Sequence, residues 1–235
     1  MTVDSRSEKT RPDRAAATRD RILDAAERLF AERGVLAVSN RQIGEAAGQG
    51  NNSVVGYHFG GRSELVLAIL RRHAVAVERL RTDLLTRVGP GSALHDWVGC
   101  LVRPLPAHLA EQGEQSWHAR FLAQASNEPT LRAVIRADAK ASPSLQRARE
   151  GMLRQLPAFP AEVRAERGEM SRLVVVHMCA EYERALQNGA ASPSTTWETA
   201  AARLVDAVVG LWLAPVTPEI SRRHAESGST EPSRE

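Results

Sequence analysis

An all-α fold is predicted by three observations. Apolar residues recur at spacings of three and four from about residue 19 to residue 213, the period that gathers them on one face of a helix. No convincing stretch alternates apolar and polar residues as a half-buried strand does, and no internal repeat is present. The periodic stretches are separated by Gly, Pro or small polar residues that stop one helix and cap the next. With 43% hydrophobic residues in 235, the chain can bury a substantial core.

Each helix has its own signals. The first is expected over 19–33, with Ile22, Ala26, Leu29 and Phe30 on one stripe, Thr18 as its cap and Gly34 as a left-handed stop. The second is expected over 40–47: Ser39 and Gln42 have capping-box spacing, Ile43, Ala46 and Ala47 face inward, and Gly48 ends it. Asn51 or Asn52 can cap a third over 53–59, broken by Gly60 and Gly61. A fourth follows over 62–87 with Leu65, Ile69, Ala76 and Leu80. Ser92 starts a helix carrying Leu94, Trp97, Val98, Leu101 and Val102, which Pro104 and Pro106 are expected to stop. Ser116 starts another with Trp117, Phe121 and Leu122. Leu131, Val134 and Ile135 mark a short one, and Pro143 opens one with Leu145, Met152, Leu153 and Leu156. Pro160 precedes a long stretch to about residue 188, and Thr195 or Thr196 caps a last helix reaching Leu213. The run "LVVVHMC", 173–179, has strand propensity. Its flanks continue a helical pattern and a lone strand would have no partner, so a helix buried on several sides is predicted.

Composition narrows the classes. The formal net charge of +3 is too small to argue for a nucleic-acid partner by itself, and 29 of the 31 basic residues are Arg. Cys100 and Cys179 are isolated, so neither a metal pattern nor a disulfide framework is expected, which fits a reducing cytoplasm. No apolar run reaches ~18 residues, and the polar N-terminus lacks a signal peptide. Residues 1–17, with Arg6, Lys9, Arg11 and Arg14, read as a disordered basic arm, and 224–235 as a disordered tail. No cofactor and no metal are expected.

Residues 49–61, "QGNNSVVGYHFGG", carry no charge in a chain that is 25% charged. Two short helices joined by a tight Gly-containing turn suggest a helix-turn-helix, whose second helix lies in the DNA major groove with its N-terminal residues on base edges. Such a helix needs neutral donors, acceptors or methyl groups at its start, and Asn51, Asn52, Ser53 and Val54 supply them. Tyr57 and His58 can donate to phosphates, while Phe59 packs inward. Arg41, Gln42 and Arg62 stand close enough in sequence to add contacts. The bland alternatives are turn and cap roles for Asn51, Asn52, Ser53 and Gln42, surface aromatics for Tyr57 and His58, and a solvated face for Arg41.

The motifs "ILDAAERLFAERG", "IGEAAG", "YHF" and a following basic residue with "EL", within residues 19–70, resemble the DNA-binding domain of tetracycline-repressor-like (TetR-family) regulators. The resemblance departs at two places. The turn "GQGNNS" is one residue longer than is common between Gly48 and Phe59, and Gly56 stands where a phosphate-contacting Tyr is frequent, leaving Tyr57 to serve. The resemblance implies an all-helical homodimer on a pseudo-palindromic operator in double-stranded DNA, more often a repressor, released by a small-molecule effector in the C-terminal domain. It divides the chain into a helix-turn-helix domain over 18–62 and a helical regulatory and dimerisation domain over 63–223.

In the second half, Trp97, Trp117, His118, Phe121, His177 and Met178 are candidate pocket residues, with ordinary core as the alternative for each. In the last helix Trp197, Ala201, Leu204, Val208 and Leu211 form one seam, and Ala202, Val205, Val209 and Trp212 a second. Two seams exceed what one partner needs. Together with Val174 on the preceding helix they are candidates for a four-helix dimer interface, the core of a monomer being the alternative. Two other function classes stay open. A helical interaction module would lack specific DNA binding. A small-molecule enzyme is disfavoured by the absence of nucleophile, metal or phosphate-loop signatures.

Overall fold

The computed structural model describes residues 11–51, 53–113, 115–192 and 195–217, with side chains from residue 14 onward. Among these residues the secondary structure is eleven α-helices and no strand. In chain order they are α1 (Arg11–Arg33), α2 (Asn40–Ala46), α3 (Val54–Phe59), α4 (Arg62–Leu85), α5 (Leu94–Val102), α6 (Pro104–Gln112), α7 (His118–Asn127), α8 (Pro129–Lys140), α9 (Pro143–Arg154), α10 (Ala161–Gln187) and α11 (Trp197–Leu213).

The stripe on α1 is buried as its spacing predicts, with Ile22, Ala26 and Phe30 fully enclosed. Gly34 (φ +87°) ends the helix, its N–H bonding to the Phe30 carbonyl at 2.9 Å. That left-handed geometry strains any side chain. The helix starts at Arg11 rather than near residue 19, so 11–17 belong to a helix and not to an arm. Thr18 lies inside it, its hydroxyl accepting from Arg21.

A second difference concerns the prolines. Pro104 and Pro106 follow the end of α5 as expected, but they also open α6. The first four N–H groups of a helix have no intrahelical partner, so prolines at its first and third positions cost no hydrogen bond.

Two cores result. The first joins α1–α4 and takes in Phe121 and Ala125 from α7 and Leu131 from α8. Phe121 stacks on Phe30, ring centroids 6.2 Å apart. The second gathers α5, α6, α7, α9, α10 and α11, and receives Leu85 from the far end of α4. α4 therefore runs from one core to the other. α10 is a helix through the "LVVVHMC" run, but it is not enclosed all round: Met170, Leu173 and Met178 are exposed, while Val176, Cys179 and Ala180 are buried.

Charged side chains tie the helix ends together. Glu183 of α10 is 2% exposed and sits at the N-terminus of α7. Its oxygens accept from the Ala119 N–H at 3.1 Å and the Arg120 N–H at 3.0 Å, and the Arg120 guanidinium adds a third bond at 3.2 Å. Burial pushes this carboxyl up, and the α7 donors oppose that. Glu78 of α4 likewise accepts from Ser144 N–H and Ser142 Oγ at the start of α9. Arg167 of α10 donates to the carbonyls of Trp212 and Ala214 at the end of α11. In each case a charge meets the helix end of opposite polarity.

Candidate functional site

α2 begins with the capping box expected of its sequence. Ser39 Oγ accepts from Gln42 N–H at 3.3 Å, and Gln42 Oε1 accepts from Ser39 N–H at 2.8 Å. The Gln42 carbonyl is thereby committed to the cap. Gly48 (φ +69°) turns the chain after α2, and Gln49 N–H returns to the Gly44 carbonyl at 2.9 Å. Asn51 Oδ1 then accepts from both the N–H (2.9 Å) and the hydroxyl (2.8 Å) of Ser53, organising the start of α3. Asn52 lies outside the described residues.

α3 has one buried and one open side. Val55 and Phe59 enter the first core, Val54 and His58 are half-buried, and Tyr57 is 85% exposed. α1 holds the helix by its C-terminal end. The Arg19 guanidinium donates to the His58 carbonyl at 2.9 Å and lies 4.3 Å from the centre of the Phe59 ring. Asn51, Ser53, Gly56 and Tyr57 are exposed together, a surface without formal charge. Arg41 is exposed on α2 and makes a surface ion pair to Glu45 at 3.3 Å. Arg62 departs from expectation. Its guanidinium turns inward to the Val35 carbonyl and lies over the Phe30 ring, so it ties the head together.

The regulatory candidates do not all converge, although the His118 and Phe121 rings are neighbours on α7, centroids 6.2 Å apart. Trp117 is half-buried beneath the Arg120 guanidinium and borders a cavity of about 450 Å³ between α1, α2, α4 and the α6–α7 connection. Phe121 and Trp97 are core residues, one in each core. His177 is half-buried and Met178 is 54% exposed. As for the interface candidates, Ala201, Leu204, Val205, Val208 and Trp212 are buried within the chain itself. α5, α6 and α10 take up those side chains, the core-helix packing that was the alternative to an interface. Val174, Trp197 and Leu211 are half-buried at the edge of the same core.

His118 has a different surrounding from the one expected. It is 4% exposed, and its Nδ1 lies 3.1 Å from Glu27 Oε1 on α1. The same oxygen is 2.9 Å from His73 Nε2 on α4, and His73 Nδ1 is 2.7 Å from His108 Nε2 on α6. The rings of His73 and His118 stack at 3.8 Å. Burial pushes His118 down to about 4 and lowers His108, so both are neutral near pH 7. Burial alone would raise Glu27, but hydrogen bonds from His118 and His73 outweigh it and hold the carboxyl well below its usual range. Sequence reading missed Glu27, His73 and His108 altogether, because partners 35 to 91 residues apart leave no spacing signal.

A helix-turn-helix head on an all-helical body defines a DNA-binding regulator of transcription. Residues 22–69 match bacterial regulatory proteins of the tetR family, and residues 99–210 match the tetracyclin repressor-like C-terminal domain. These matches cover most of the chain, and it belongs to the tetracycline-repressor-like family. Members of that family are transcriptional regulators rather than enzymes. Among curated proteins no sequence match is found. Similar solved structures include the TetR-family regulator PfmR from Thermus thermophilus (17% identity, TM-score 0.48, covering 85% of this chain and 97% of that one). Another is a TetR-family regulator from Streptomyces coelicolor A3 (21% identity, TM-score 0.43, covering 85% and 96%). Among the described residues no helix is long and apolar enough to cross a membrane.

Proposed function

We propose that the chain is a homodimeric cytoplasmic repressor that leaves a pseudo-palindromic operator when a small molecule binds. The observation that carries the DNA half is the open side of α3, where Tyr57 stands fully out while Val55 and Phe59 anchor the helix from behind. In this reading the Asn51 and Ser53 side chains and the α3 N-terminus meet base edges. Tyr57 and His58 reach phosphates, and Arg41 adds a backbone contact. Gln42 contributes by holding α2 in place rather than through its carbonyl oxygen, and Arg62 by stabilising the head.

The regulatory half rests on α4. It begins directly after α3 and delivers Leu85 to the second core, so any shift of α4 is felt at both ends. An effector releases DNA only if it binds one placement of α4 more tightly than the other. The exposed apolar side chains of α10 and α11, Met170, Leu173, Met178 and Leu213, are the surface offered for pairing with a second copy.

The test is a gel-shift titration with DNA flanking the gene at two salt concentrations. One discrete complex that survives competitor DNA and weakens with salt is expected, at one dimer per site. Diffuse binding, equal on unrelated DNA, refutes specific recognition.

A further inference from the structure

Glu27, His73 and His118 each present one ligand atom, and these atoms lie within 4.8 Å of one another in a buried position. We propose that they form a binding site for one divalent transition-metal ion of the zinc class. The donor set, two imidazoles and a carboxylate, is one that such ions take with a fourth position left to water.

Three observations carry the assignment. First, the donors nearly have the required spacing. A tetrahedral ion about 2.0–2.1 Å from each donor puts the donors roughly 3.3 Å apart. Glu27 Oε1 already lies 2.9 Å from His73 Nε2 and 3.1 Å from His118 Nδ1. Second, the outer shell is present. His73 Nδ1 faces His108 Nε2 at 2.7 Å, the kind of partner that orients a metal-bound ring. Arg72 donates to the other carboxylate oxygen, Oε2, which His73 Nε2 also reaches at 3.1 Å, while Oε1 faces both rings. Third, access exists: the cavity of about 450 Å³ is lined by Glu27 and His73, so an ion and its water have an entry path.

A core with only packing to achieve has no need of two imidazoles on one buried carboxylate with a third imidazole behind them. One further buried nitrogen, His108 Nδ1, is without a hydrogen-bond partner. An ion here joins α1 of the DNA-binding head to α4 and α7 of the body. Its binding therefore bears on how the head is held, separately from whichever organic effector the protein takes.

The experiment uses the metal-free full-length protein without a histidine tag, titrated with Co²⁺ alone and with Zn²⁺ alone. One ion per chain is expected, with the intense visible bands of four- or five-coordinate cobalt and a raised melting temperature. His73→Gln and His118→Asn should abolish the cobalt bands, while His95→Gln, at an exposed position, should keep them. His108→Gln should keep one ion per chain at roughly tenfold lower affinity. Absence of binding to the wild type overturns the site and leaves a hydrogen-bonded network, as does undiminished binding to both His73→Gln and His118→Asn. Because those two variants alter the core, X-ray absorption of the zinc-loaded wild type gives an independent reading. Two imidazoles in a nitrogen and oxygen shell are expected, and a sulfur-containing or imidazole-free shell refutes the assignment. None of these measurements uses DNA, so their failure is separable from failure at the operator.

Discussion

The indole of Trp97 lies against the backbone of Gly151 so closely that a Cβ on Gly151 would stand 2.0 Å from its Cε3. α5 and α9 pack through this contact in the second core. Gly151→Ala adds about 1 kcal/mol of helix propensity, but overpacking a filled core costs about 1–3 kcal/mol or more. A lower melting temperature is expected, with an altered tryptophan emission. Adding Trp97→Leu should recover part of the loss, and additive losses in the double variant would show that the two residues are not coupled.

Arg62 and Tyr57 should separate cleanly. Arg62→Ala removes the bond to the Val35 carbonyl, and losing a charged hydrogen bond costs about 1.5–3 kcal/mol. Chemical denaturation should register that loss, while the salt dependence of operator binding stays unchanged. Tyr57→Ala, at an exposed position, should leave stability within about 0.5 kcal/mol and weaken operator binding roughly tenfold. A steep loss of salt dependence in Arg62→Ala would place its guanidinium on DNA instead.

Glu183 joins α10 to the start of α7 through three hydrogen bonds. Glu183→Ala strands two N–H groups and removes the carboxylate partner of Arg120, which keeps its bond to Gln187, and breaking a buried charged pair in this way costs about 3–5 kcal/mol. Glu183→Gln keeps one acceptor and should cost distinctly less. Urea unfolding of both variants measures the difference.

Acid should weaken the contact between α8 and α10. Glu169 accepts from Arg172 at 2.8 Å and pairs with Arg136 at 2.7 Å. Hydrogen bonds from Arg172 lead in lowering its carboxyl from 4.5 to about 2. The folded state thus keeps the carboxylate ionised where the unfolded chain protonates it. Its stabilising contribution is complete above 4.5 and is lost as pH falls toward about 2. The stability gap between wild type and Glu169→Gln should therefore close over that window. Solvent access keeps the gap small at neutral pH.

Much of the architecture was legible because its causes are local. The α2 capping box at Ser39 and Gln42, the glycine stop at Gly34 and the turn at Gly48 each depend on residues within one helical turn. Phe59 packs inward as expected, while the burial of Val55 beside it was not read from the sequence. α6 was hidden because proline reads as a stop, although the first turn of a helix tolerates it. The sequence could not show that Arg62 turns inward, because its partners, Val35 and Phe30, come from the preceding loop and helix. Both apolar seams of α11 were visible, but not whether α5, α6 and α10 or a second copy would cover them.

The sequence by itself determined most of the helices, the caps at Ser39 and Thr196, the helix-turn-helix and the family. Those follow from a period of 3.6 residues and from turn chemistry acting on near neighbours. Only the tertiary structure decided that Glu27, His73, His108 and His118 share one buried place. Such a gathering depends on how four helices pack, and each side chain alone reads as an ordinary polar residue on a helix until that packing removes it from water.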